Sequence, residues 1–353
     1  MSKAKAKSPK GQEEVPVAEP QLPIPSPLPW QASQWQRLGA QWIAGRCPHA
    51  LLISGQPGLG KRRFADAFAA LLLCDQPRHG LACGECRGCQ LRIARSHPDF
   101  IRVVPEKEQG PLKVEQIRQL GEFVGRTSAR EGARVVWLAP AEAMNINAAN
   151  ALLKNLEEPS GSVIFLLITD NPSGLLPTIR SRCQTIAFPV PPQQAALRWL
   201  SDSGVEGDQA TSALNLAGGA PLLAVNLMEP ESRELREQFL RDLTTLSRGN
   251  ESPVTLAGRW ESPGEGVDLN LLLQFWQSWL AQMLKVRSTD QPADREIMAL
   301  LQRLPGNGHE GLRPLFGFYD QLLKARGLLA GNSNPNKRLL MEELLIRWAA
   351  LFR

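Results

Sequence analysis

Apolar positions fall into two regimes along this chain. Between residues 50 and 188, short apolar runs alternate with amphipathic stretches; beyond residue 192, helical spacing continues alone. The runs Ala50–Ser54, Phe100–Val104, Arg134–Leu138, Val163–Thr169 and Thr185–Phe188 have the length and composition of strands buried on both faces of a parallel sheet. Helical spacing at Trp35, Leu38 and Trp42, and across Phe64–Leu73, Lys113–Gly125 and Asn147–Leu156, predicts helices before and between them. That alternation predicts an open α/β sheet covered by helices on both sides. Pro189-Val190-Pro191-Pro192 marks a boundary. A small helical segment is expected over 189–231 and a larger one over 232–353, with apolar helices at Leu271–Leu284 and Lys337–Phe352.

Residues 1–29 differ from the rest. They carry Lys3, Lys5, Lys7 and Lys10 and then a proline-rich run, with too few large apolar side chains for a core. A disordered tail is the expectation, and a docking peptide or weak nucleic-acid contact the alternative. In 353 residues there is no apolar run of about 18 and no signal-type leader, so a cytoplasmic location is expected. Forty basic residues against 35 acidic ones permit nucleic-acid contact without demanding it.

Directly after the first expected strand stands Gly55-Gln56-Pro57-Gly58-Leu59-Gly60-Lys61-Arg62. It has the spacing of a Walker A loop, in which backbone N–H groups and a lysine hold phosphates and a final Ser or Thr ligates Mg²⁺. Gly55, Gly58, Gly60 and Lys61 are the candidate ATP-binding residues. Arg62 occupies the hydroxyl position, and a guanidinium has no acceptor atom to offer a cation. The strand at Arg134–Leu138 leads into Ala139 and Pro140, with no carboxylate to polarise water; Glu142 is expected to flank the next helix.

Cys74, Cys83, Cys86 and Cys89 have intervening gaps of eight, two and two residues, a spacing that lets four thiolates close a tetrahedral shell around a structural Zn²⁺. Four unligated thiols are the alternative. Cys47 and Cys183 are expected as ordinary buried or partly buried residues, and His79 and His97 not as ligands.

These features sit among Ser96-His97-Pro98-Asp99, Asn150-Ala151-Leu152-Leu153-Lys154, Leu156-Glu157-Glu158-Pro159 and Ser181-Arg182-Cys183. Together they resemble the AAA+ clamp-loader family of bacterial DNA polymerase III, from Trp30 to the C-terminus and most closely from Ala50 to Gln184. The resemblance implies a RecA-like AAA+ α/β domain over 30–188 with its zinc module at 74–89, a small helical lid over 189–231, and an all-α collar over 232–353. It implies as partners gamma/tau and delta subunits in a five-subunit ring, and through the complex the beta sliding clamp and primed DNA. It makes Arg182 an arginine finger acting in a neighbour's ATP site, with an intrachain salt bridge as the alternative; Arg180 is expected to be structural. Arg62, Ala139 with Pro140, and Leu222 in place of a sensor arginine set the chain apart from the gamma/tau motors and imply a subunit that does not hydrolyse ATP. An active gamma/tau-like ATPase and a zinc-ribbon nucleic-acid-binding module remain as alternatives. Against the latter, Cys83–Gln90 holds Arg87 as its one basic side chain and no aromatic.

Overall fold

The computed structural model describes residues 25–352 apart from 108–109, 127–131, 160, 262–268, 290–294, 305–311 and 331–334. Most of the tail expected over 1–29 lies outside the described residues. Order nevertheless begins before Trp30. Leu28 is buried, and the Ser26 carbonyl accepts a hydrogen bond from Arg63 Nε at 2.9 Å.

The chain then runs α1 (Ala32–Ile43), β1 (Ala50–Ser54), α2 (Lys61–Leu72), α3 (Arg87–Ile93), β2 (Phe100–Val103), α4 (Val114–Gly125), β3 (Arg134–Leu138), α5 (Ile146–Glu157), β4 (Val163–Thr169), α6 (Pro177–Arg182) and β5 (Gln184–Ala187). The strands form one parallel sheet in the order β2-β3-β4-β1-β5. This is the RecA-like arrangement the resemblance implied, with the glycine loop at the C-terminal end of a central strand. Strand alternation sends Leu51, Ile53, Val135, Trp137, Leu166 and Ile168 to the face covered by α2. Leu52, Val136, Leu138, Phe165 and Leu167 go to the opposite core with α4 and α5. Burial on both faces explains why β1, β3 and β4 read as unbroken apolar runs.

Beyond β5 the described residues are helical: α7 (Gln193–Asp202), α8 (Gly207–Leu216), α9 (Pro221–Met228), α10 (Pro230–Ser247), α11 (Pro253–Glu261), α12 (Leu269–Thr289), α13 (Arg295–Arg303), α14 (Arg313–Ala330) and α15 (Lys337–Ala350). The C-terminal core is built on aromatic rings. Trp276 lies 5.7 Å from Trp348 and 5.1 Å from Phe318 between centroids, and Trp348 Nε1 donates to the Leu243 carbonyl at 3.1 Å. α15 buries Met341, Leu344, Leu345 and Trp348 yet leaves Leu339 and Ile346 exposed. Its apolar character therefore exceeds what one core-facing stripe uses.

Candidate functional site

The glycine loop is closed around itself. Gly58 and Gly60 hold φ of 78° and 79°, a backbone region that side chains rarely adopt. Space forbids a side chain at Gly58 too, since a Cβ there would lie 2.4 Å from Leu223 Cβ and 2.8 Å from the Leu223 backbone nitrogen, while one on Gly60 would press on the end of the Leu28 side chain. Segments from both sides press on the loop. Gln31 Nε2 donates to the Leu59 and Gly60 carbonyls at 2.9 and 3.1 Å, and Trp30 Nε1 donates to Leu59 at 3.1 Å. From the helical segment after the sheet, Leu222 N–H donates to the Gly58 carbonyl at 3.1 Å, while Gln56 Nε2 donates to Gly218 at 3.0 Å.

Lys61 is 4% exposed and already partnered. Its Nζ donates to the Gln56 carbonyl at 2.6 Å and pairs with Asp170 Oδ1 at 2.5 Å. Sequence reasoning missed Asp170. It follows the last residue of β4, which lies beside β1, so the parallel pairing Ser54↔Thr169 brings it next to the loop. Glu142 stands just before α5, flanking it as expected, but its side chain reaches elsewhere. It lies in a 3-10 turn over Ala141–Ala143, but its carboxylate turns to the end of β4, where Oε1 accepts the Asp170 N–H at 2.9 Å. Burial pushes the Glu142 carboxyl above its usual range; hydrogen bonds to it oppose that rise and the neighbouring Asp170 charge adds to it. Ala139 directly follows β3 and is buried, and Arg62 is exposed.

The four cysteines converge. Their sulfurs all lie within 4.8 Å of one another, with Cys74 at 3.6 Å from Cys83 and 3.9 Å from Cys86. A tetrahedral ion with Zn–S near 2.3 Å requires sulfurs about 3.8 Å apart, which these separations match. Backbone N–H groups of Cys83, Cys86 and Cys89 point at the sulfurs of Cys74, Cys83 and Cys86 at 3.2, 3.4 and 3.5 Å. Such donors stabilise thiolates; those of Cys86 and Glu85 bring the Cys83 thiol down to about 6. These residues fit a closed, structural metal site. α3, which the sequence did not reveal, starts at this cluster with Cys86 as its N-cap. Trp35 anchors the module to α1 by donating from Nε1 to the Gly80 carbonyl at 3.2 Å.

Arg182 closes α6 and is 36% exposed. Its Nη2 pairs with Glu157 Oε1 at 2.5 Å and its Nη1 donates to the Thr178 carbonyl at 3.0 Å. The intrachain salt bridge weighed for this residue is therefore present. The register Leu51↔Gln184 places α6 beside the N-terminal ends of the strands, whereas Lys61 follows the C-terminal end of β1. The two groups occupy opposite rims of the sheet. Arg180 is exposed on the same short helix, and burial pushes the Cys183 thiol up to about 12.

Two family models match the chain, described as DNA polymerase III, delta subunit, over residues 30–192 and as its C-terminal part over residues 230–350. DNA polymerase III subunit delta' of Pseudomonas aeruginosa is 39% identical, over 92% of this chain and 97% of its own. The chain belongs to the DNA polymerase III delta' family. The delta' subunit of Yersinia pestis is 33% identical over 91% of this chain and 94% of its own. Among solved structures, a DNA polymerase III gamma subunit-related protein of Thermotoga maritima aligns with a TM-score of 0.44 at 19% identity, covering 91% of this chain and all of that one. No described helix of this delta' family member is long and apolar enough to cross a membrane.

Proposed function

We propose that this chain is a clamp-loader subunit that does not hydrolyse ATP and instead completes the ATP site of a neighbour. The observation that carries this reading is the state of the glycine loop. Lys61, the cation that would meet phosphate, is buried against Asp170 and the Gln56 carbonyl, and Arg62 supplies no metal ligand. Metal-assisted phosphoryl transfer needs a lysine available to the phosphates, a hydroxyl on Mg²⁺ and a group that orients water. The first is engaged and the second is absent. Of the two nearby carboxylates, Asp170 is paired with Lys61, and Glu142 is raised in pKa and bonded to backbone.

Arg182 supplies the chemistry that remains. Its place on the rim opposite the loop prevents it from serving its own chain and suits it to a pocket across a subunit boundary. There a planar, permanently charged guanidinium would stabilise charge on the transferred phosphoryl group. In this reading residues 30–188 form the AAA+ domain, 189–231 a lid fixed over the loop, and 232–353 a collar that joins gamma/tau and delta partners in a five-membered ring. The ring opens the beta clamp and places it on primed DNA. The cysteine cluster holds structural Zn²⁺. The deciding experiment assembles the loader with Arg182→Ala and measures DNA-stimulated ATP turnover and clamp loading. Loss of both supports the reading, and unchanged rates refute the finger. Turnover by the purified chain alone, abolished in Lys61→Ala, would make it a motor.

A further inference from the structure

A cleft of about 650 Å³ opens beside the glycine loop, between Gln56 and Pro57 of the loop, the α8–α9 turn at Gly218, and helices α12 and α14. Its volume is that of a small-molecule site. Its walls are tied together, since Ser278 Oγ on α12 donates to the Leu216 carbonyl at 2.7 Å and Gln56 Nε2 reaches Gly218.

The charge in this cleft has one sign. Lys285 and Arg326 line it, and among the described residues that line it none carries a carboxylate. Arg326 is half-buried, and its guanidinium donates from Nη1 to the neutral Gln277 Oε1 at 2.5 Å. Among the described residues no carboxylate pairs with it, and burial pushes its pKa down. A half-buried guanidinium hydrogen-bonded to a neutral amide and not to a carboxylate keeps donors for an anion. The Tyr319 ring lies on the same wall, and amide side chains of Gln56 and Gln277 supply donors and acceptors of the kind that read a heterocycle.

We propose that this cleft binds a phosphate-bearing small molecule of nucleotide size, with Arg326 and Lys285 holding its phosphates. Arg326 suits a fixed phosphate oxygen because its planar fork is already oriented by Gln277; exposed Lys285 adds a mobile charge at the mouth. The site differs from the glycine loop, whose lysine is engaged by Asp170. Any nucleotide affinity of the full chain would then reside here and need no Mg²⁺ ligand from position 62.

Calorimetric titration of the full chain with ATP, tripolyphosphate and adenosine, each without Mg²⁺, tests this. ATP or tripolyphosphate is expected to bind, and Arg326→Gln and Lys285→Gln are each expected to weaken binding at least tenfold. Tripolyphosphate binding as well as ATP would assign recognition to the phosphates; ATP alone would add the base. Lys285 is exposed, so its variant reports on the site even if Arg326→Gln fails to fold. The proposal is overturned if neither phosphate compound binds, or if a single-stranded oligonucleotide binds and they do not. It also fails if Lys61→Ala abolishes binding that both cleft variants retain.

Discussion

Lys61 Nζ and Asp170 Oδ1 lie 2.5 Å apart, the lysine 4% exposed and the carboxylate 45%. The pair fastens the loop after β1 to the residue after β4, so the space a phosphate would use is bridged by the protein's own anion. Removing that anion strands a buried ammonium. Asp170→Asn is expected to lower stability by about 1–2 kcal/mol, less than a fully buried pair would lose because water screens the carboxylate. Urea unfolding checks it, and a loss below a few tenths would show the pair to be incidental.

Arg182→Ala is expected to cut turnover at the receiving site of an assembled loader by about 10³-fold, the lower end for an arginine finger. Its own folding should hardly change, because an exposed ion pair contributes about 0–1 kcal/mol. Glu157→Gln frees the same guanidinium without deleting it and should alter turnover by less than about fivefold. Equal damage from both would mean that the pair acts as a unit within the chain.

Glu142 gives a pH signature. Its folded pKa is raised above the ordinary 4.5 mainly by burial, so the folded state binds the proton more tightly than the unfolded state. Stability from this group is therefore fully present below about pH 4.5 and declines as pH rises through the folded pKa. Glu142→Gln keeps an acceptor for the Asp170 N–H and has no charge to bury. The difference in urea stability between variant and parent should favour the variant at pH 7 and shrink toward pH 4. A constant difference would contradict the burial effect.

One Zn²⁺ per chain is expected by elemental mass spectrometry, and none in Cys86→Ser, where the thiolate that caps α3 is lost. Without metal, limited proteolysis should cut between residues 75 and 95 while the sheet core survives, because the module contributes little to the two main cores. Unchanged protease resistance after chelation would mean that the sulfurs close the site without an ion.

The sequence carried most of the sheet because both-face burial writes itself as apolar runs. β1, β3 and β4 match the expected spans, and the edge strands β2 and β5 shift by one residue, where pairing and burial weaken. The cysteine spacing also translated directly into convergent sulfurs. Asp170 was invisible because its role arises from strand order: nothing local says that the end of β4 lies beside the end of β1. The reach of the Glu142 side chain to Asp170 was invisible for a similar reason, since it depends on what β4 presents. The contact of Leu28 and Gln31 with the loop follows from tertiary packing, and Leu28 lies in a stretch whose proline content reads as tail.

A parallel sheet has a direction, and this one puts Lys61 and Arg182 at opposite ends. Lys61 lies at the ends where strands finish, Arg182 where they begin. If the proposed roles hold, the molecule is a one-way connector. It can complete a pocket on one side and has none to be completed on the other. A circle containing such a chain acquires a fixed beginning, and its working sites can be counted from that point in only one sense.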